Sequence, residues 1–437
     1  MKGDTGNPFK GGDVPAMKPT CSPFVPDRRK HVFRLAIVFL LVGCVYVPAW
    51  AAEDDAPGAQ AQLARFQALR KERPNDGVLI FYEAIVRLGL GQREAALALL
   101  RSLKGRKLGL IPARGVGFDG VWDEPEFAAI RKELADEEPR TPDSPVAFRL
   151  NDPKLIPEGI AWDPKGERFF IGSVAQRKIV AADAKGKTRD FSGPNDKLDA
   201  ILGLTIDGEG AHLYAVSTNG FEESAKTERR NAVVRYDLKS GRLLDRLAAP
   251  EAMQLNDVAV ARDGTVYATD SASGTLFRKK PAEKTLSRFG QKGALPGANG
   301  ITLAPDGTLY VTLSTGIARV DLANGEPTRL PQPDSVVTGG IDGLYWHEGD
   351  LLGIQNTTNP GRIVRITLAD KGTRVAGLTV LQSHHHPEFD EPTTGAIARG
   401  ALNVIGNSYV GSYQPDGTIL NAGELKGTAI VAVPLRR

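Results

Sequence analysis

The sequence predicts an all-β fold, a six-bladed β-propeller preceded by a small α-helical segment. Three observations carry that expectation: a short unit recurs six times after residue 146, the apolar spacing before residue 138 is helical, and a proline-rich stretch separates the two. The division read from these changes of period is a leader and signal peptide over 1–52, a helical segment over 53–138, a linker over 139–145 and the propeller over 146–437.

Of the 437 residues, 41% are hydrophobic and 24% charged, enough apolar material for a large buried core. The formal charge of +3 is uneven. Residues 1–52 carry seven Lys/Arg against three Asp, which leaves the rest of the chain at −1. A body so close to neutral lacks the clustered Lys and Arg that displace counterions from a phosphate backbone, so nucleic acid is excluded as a partner.

Arg28, Arg29, Lys30 and Arg34 precede an apolar run, Leu35 to Val47, and Ala49-Trp50-Ala51 follows with small residues where signal peptidase reads. This pattern predicts export to the periplasm or beyond. The 13-residue run is shorter than the roughly 20 residues that span a bilayer, so no transmembrane span is expected in the mature form. Leu41-Val42-Gly43-Cys44 offers a lipoprotein alternative, with the lipid on Cys44. The two cysteines, Cys21 and Cys44, would leave with a leader cut after Ala51, which removes thiolate metal sites and Cys nucleophiles from consideration.

From Ala56 to about Glu137 apolar residues recur at helical spacing, as in Leu63, Phe66, Leu69 and again in Phe127, Ile130, Leu134. Pro74 to Leu103 reads as one tetratricopeptide-like helical pair, which cannot bury both faces alone. Either a protein partner or the chain's own second domain would cover it. Glu137 to Pro145 combines charge with three prolines and reads as the linker.

Beyond it the unit is a polar residue, usually a Gly, a short apolar strand, a turn with Asp or Gly, and a second strand. The six openings are Glu158-Gly159, Leu202-Gly203, Asn256-Asp257, Asn299-Gly300, Asp342-Gly343 and Thr394-Gly395, spaced by 44, 54, 43, 43 and 52 residues, the period of a four-stranded blade. Asp163-Pro164-Lys165-Gly166 and its counterparts at Asp207, Asp263 and Asp306 mark the hairpins. The strand Val146 to Leu150 has no blade of its own and is expected to close the ring against Thr428 to Val433.

The first strand of each propeller blade lines the central channel, so the opening residues converge at one mouth. Glu158, Asn256, Asn299 and Asp342 would bring carboxylate and amide oxygens together there, a hard donor set that suits Ca²⁺ best, with other divalent ions as alternatives. Two carboxylates and two carboxamides aimed at one point repel and stay poorly satisfied without a cation. Asp270, Gln355 and Asn356 end second strands on the mouth side and are expected around the ion and a small-molecule substrate. So are Asn219, in the long loop Ser217 to Asn231, and His385, in the run His384-His385-His386 that leads into blade six. A second long loop, Asn407 to Gly427, is the other candidate rim. No P-loop spacing and no Gly-x-Ser-x-Gly elbow occurs.

Over about residues 146–436 the sequence resembles the six-bladed calcium-dependent hydrolases that include regucalcin/gluconolactonase, luciferin-regenerating enzyme, diisopropyl fluorophosphatase and, more distantly, paraoxonase. The resemblance rests on Pro157-Glu158-Gly159, Asn256-Asp257, Asn299-Gly300-Ile301 and Asp342-Gly343, each in the blade where that family places its catalytic calcium. It implies Glu158, Asn299 and Asp342 as ligands, Asn256 as ligand or substrate contact, and Asp342 as base or nucleophile in the hydrolysis of a lactone or ester. Sugar-lactonase relatives carry Arg two residues before the blade-three Asn, where this chain has Gln254. A non-catalytic propeller with a structural ion, serving in protein interaction or ligand sensing, is the competing class.

Overall fold

The computed structural model describes residues 56–222, 228–357 and 360–435. The expected signal segment and the Cys44 alternative lie outside the described residues. Among those described, no helix is long and apolar enough to cross a membrane.

Six four-stranded antiparallel sheets form the propeller. Blades one to five each take four consecutive strands, starting at Pro157–Asp163, Ala200–Ile206, Leu255–Val260, Ile301–Leu303 and Ile341–His347. Blade six combines Gly395–Ala398, Ala401–Ile405 and Ala429–Pro434 with the first strand of the propeller, Val146–Arg149. Phe148 pairs with Ile430 and Arg149 with Ala429, and Leu150 N donates to Thr428 O at 2.9 Å, which is the closure expected from the sequence. Pairing the two ends of the propeller leaves no open seam.

The hairpins owe their shape to the turn aspartates. Asp163 Oδ1 accepts from the backbone of Lys165 (3.0 Å) and Gly166 (2.9 Å), and Asp263 and Asp306 accept in the same way from Thr265 and Thr308. An Asp side chain that captures the amides ahead of it replaces a backbone turn bond and fixes the register of the strands behind it.

The inner strands break their ladders where the repeats open. The register shifts between Pro157 and Ile160, Ile201 and Leu204, Leu255 and Val258, and Ile341 and Leu344. In blades four and six, Asn299 and Thr394 stand just ahead of the ladder. Every opening residue therefore escapes the strict in-out alternation of a strand, and a bulge of this kind re-aims side chains. The glycine that follows has a separate cause. A Cβ on Gly159 would collide with the Leu202 carbonyl of blade two, and one on Gly300 with the Asp342 carbonyl of blade five. Adjacent blades touch backbone to backbone around the axis.

The helical unit comprises α1 (Ala56–Glu72), α2 (Gly77–Gly89), α3 (Arg93–Arg101) and α4 (Pro125–Asp136). Asp76 caps α2 by accepting from Val78 N at 3.2 Å. Leu79, Phe81, Leu97, Leu100, Phe118 and Phe127 build its core, and the propeller's Val337 belongs to the same cluster. The unit thus lays part of its apolar face on its own chain. The proline-rich stretch is also fastened down: Ser144 N donates to Gln382 Oε1 (2.8 Å), and Ser383 N donates to Thr141 Oγ1 (2.9 Å).

Gly159→Ala should cost about 2 kcal/mol or more in chemical denaturation, because neither backbone can retreat without moving a blade. Gly208→Ala, whose Cβ meets no atom within 4 Å, should stay within about 0.5 kcal/mol of the parent.

Candidate metal centre

Glu158, Asn256, Asn299 and Asp342 are all buried, at 6%, 4%, 4% and 2% exposure, on four different blades. Asp342 is held most firmly. Its Oδ2 accepts from Asn356 Nδ2 at 2.7 Å, Asn299 donates to it as well, and Asn356 is itself tied to Pro392 O at 2.8 Å. The backbone carbonyl of Glu158 accepts from the hydroxyls of Thr393 and Thr394, which anchors blade one to blade six. Asn256 gives its amide nitrogen to Ser271 Oγ at 2.9 Å, and Ser271 Oγ donates to Ala298 O at 2.6 Å, so the amide oxygen is the end left to act as a ligand.

Two carboxylate oxygens in this group have no partner: Glu158 Oε2 and Asp342 Oδ1 are buried without a hydrogen bond. A buried acceptor left unmade costs about 1–3 kcal/mol, and more when it is charged. Burial, and then the charges of Asp342, Asp257 and Glu391, hold the Glu158 carboxyl well above the usual carboxylate range. Burial also raises Asp342; the bonds from Asn356 and Asn299 work against that rise, while Asp257 and Glu391 add to it. Among the described residues no Lys or Arg pairs with Glu158, Asp257 or Asp342. Also among them, no three His, Cys, Asp or Glu side chains gather as a ligand set, so an ion here must draw on the carboxamides. Two carboxylates and two amide oxygens make a donor set for a hard cation such as Ca²⁺.

Asp257 entered the sequence reading only as part of the Asn256-Asp257 opening, without a role of its own, and Glu391 did not enter it. Asp257 occupies the slot that is glycine in the other five openings; it accepts from Val258 N (2.8 Å) and Ile301 N (3.2 Å) and so links blade three to blade four. Loss of water around it pushes its carboxyl up to about 7. Its departure from the repeat was the signal that could have found it. Glu391 accepts from Ser408 Oγ at 3.0 Å and from Gly411 N at 3.2 Å, and gave no register signal.

Of the residues expected around ion and substrate, the structure brings Asn356 to the centre and uses the others elsewhere. Asp270 accepts from the amides of Met253 (2.6 Å), Gln254 (3.2 Å) and Ser273 (3.0 Å). Gln355 donates to Val337 O (3.0 Å) and Gly339 O (2.8 Å). Both latch the segment that leads into the first strand of their blade, and such latching leaves no free polar end for a substrate. Asn219 braces its own loop through Arg230 N (2.7 Å) and Glu228 O (2.8 Å). His385 bonds Ser383 Oγ at 3.1 Å and lies against the tilted ring of His384, while His386 Nε2 meets Ser144 O at 2.8 Å, so the histidine run seats the stretch before the propeller. From blade six, Val410 and Tyr413 reach into the apolar cluster of blades one to three, and Phe221 meets Tyr413 edge-on at 6.1 Å. Gln254 Oε1 is buried and unpartnered beside the mouth.

No family model matches the sequence, and neither does the sequence of any curated protein. Solved structures similar to this chain include a gluconolactonase from Xanthomonas campestris, with 19% identity and a TM-score of 0.43 over 62% of this chain and 96% of that one. They also include a PQQ-bound aldose sugar dehydrogenase from Streptomyces coelicolor (15%, 0.44, 67% and 97%) and a virginiamycin B lyase from Staphylococcus aureus (19%, 0.41, 59% and 84%). The likeness lies in the fold.

Replacing one of two mutually repelling buried carboxylates by its amide should relieve strain. In chelator at neutral pH, Glu158→Gln is expected to raise the stability of the full chain by about 1 kcal/mol or more, read from the shift in denaturant midpoint. An unchanged or lower midpoint would contradict the description of the pair as uncompensated.

Proposed function

We propose that this chain is an exported calcium-dependent hydrolase that opens a small lactone or ester at the propeller mouth. The observation that carries the reading is the pair of orphaned carboxylate oxygens, Glu158 Oε2 and Asp342 Oδ1, with two carboxamides and, among the described residues, no basic side chain paired with them. Asn256, Glu158, Asn299 and Asp342 would hold the ion. When bound, calcium supplies Lewis-acid polarisation of a substrate carbonyl. The chain's own residues do the rest. Asn356 fixes the Asp342 carboxylate by its Oδ2, so its two oxygens are not equivalent and the group has one orientation from which to accept a proton or attack. Desolvation keeps that carboxyl basic for its type. Asn256, locked through Ser271, presents its amide oxygen to the ion or substrate in a fixed direction. Export is supported by the leader up to Ala51, and the Gln254 substitution argues for a substrate other than a sugar-acid lactone.

A second reading has an observation of its own. All four donors are 2% to 6% exposed, as they would be around an ion that only rigidifies the channel of a binding or sensing propeller.

A panel of lactones and aryl esters, assayed with calcium, with chelator and with Asn299→Ala, separates the readings. Hydrolysis should need calcium and fall at least about 100-fold in Asp342→Asn, the loss usual for an acid–base group. Calcium at a hundred times its dissociation constant should stabilise the parent by about 2.7 kcal/mol. Stabilisation without turnover of any substrate selects the structural ion, and activity indifferent to chelator and to Asn299→Ala rejects the proposal.

A further inference from the structure

The helical unit meets the propeller at one place that leads directly to Asp342. Arg362, at the start of a blade-five strand, has a side chain 3% exposed and donates from each of its three guanidinium nitrogens. Its Nε donates to Gln355 Oε1, its Nη1 to Glu138 Oε2 and its Nη2 to Leu108 O, each at 2.9 Å. Two of the three belong to the helical unit and the stretch that ends it. Gly109 lies flat on the same group, since a Cβ there would collide with the guanidinium. Gln355, oriented by Arg362, holds Val337 O and Gly339 O, five and three residues ahead of Asp342. The next residue, Asn356, closes the path with its bond to the Asp342 carboxylate. On the other side, the Val78 side chain at the start of α2 lies against Gly339.

The corresponding latches of blades one to three are completed within the propeller. Ser173 Oγ donates to Leu155 O, Ser217 Oγ accepts from Asp199 N at 3.0 Å, and Asp270 takes the amides ahead of Asn256. Blade five differs because its latch is a long amide that needs Arg362, and a cation buried so deeply needs Glu138. Breaking a buried ion pair from one side strands the other charge, so this contact is not a passive seam.

We propose that the helical unit is a built part of the centre, with Glu138 and Arg362 as positioning residues that set segment 337–342 and thereby the Asp342 carboxylate. The coupling to ion binding rests on the proposed metal centre. The hold on the segment does not.

The full chain is compared with Glu138→Gln, Arg362→Lys and, as control, Asp350→Asn, which breaks the buried Arg365–Asp350 pair (3.6 Å) at the opposite end of the same blade. Two readouts are taken: amide hydrogen exchange of residues 337–343 in chelator, and calcium affinity by calorimetry. Glu138→Gln should speed exchange in 337–343 at least tenfold over the parent and weaken calcium binding at least fivefold. Arg362→Lys, which keeps the charge and loses the fork, should fall between parent and Glu138→Gln in both. Asp350→Asn should move neither, at whatever cost to the melting temperature. Equal exchange in 337–343 for Glu138→Gln and Asp350→Asn overturns the clamp. Faster exchange with calcium affinity within twofold of the parent overturns its coupling to the centre. If the parent itself binds no calcium, the metal reading fails while the exchange data still decide the clamp.

Discussion

Glu158 and Asp342 sit inside a closed ring of six sheets with two carboxylate oxygens unsatisfied and, among the described residues, no cationic side chain paired with either. A fold tolerates that arrangement only if something else makes it worthwhile, because buried charge of one sign works against the packing around it. The rest of the molecule can be understood as the means of bringing those two groups together and keeping them there: blade closure through Val146–Arg149, hydroxyls of blade six on the Glu158 carbonyl, and amides of blades four and five on Asp342.

The approach of the blades depends on small backbone events. Ladder breaks in blades one, two, three and five turn the opening residues out of the regular alternation, and glycines at 159 and 300 let neighbouring carbonyls come within contact distance. At 257 the same slot holds an aspartate, which bonds to the next blade instead of making room for it. One repeat thus adds a third carboxylate to the field at the mouth.

Much of this was legible in the sequence. The six openings and their spacing gave blade number and strand order, the orphan strand at Val146 gave the closure, and the identity of the opening residues gave the acidic pair. What escaped had a common cause, namely side chains whose role depends on partners distant in the chain. Asp270 and Gln355 look like mouth residues because they end second strands, but their polar ends are taken by backbone groups 16 to 18 residues away. His385 and its neighbours sit against residues 141–144, more than 240 positions earlier, and the charges of Glu138 and Arg362 meet across 224. Period and composition carry no trace of such pairings. The proline-rich stretch read as a tether for the same reason, since charge and proline describe its chain stiffness and not where Thr141 and Ser144 find acceptors.

What neutralises the two orphaned oxygens decides the nature of the centre. Crystals of the full chain grown with calcium, with anomalous diffraction recorded to locate the ion, test this most directly. One anomalous peak at the channel mouth, within about 2.3–2.6 Å of Glu158 Oε2 and Asp342 Oδ1, is the predicted result. A mouth without a peak, in crystals where those carboxylates bond only to water or to each other, would contradict it.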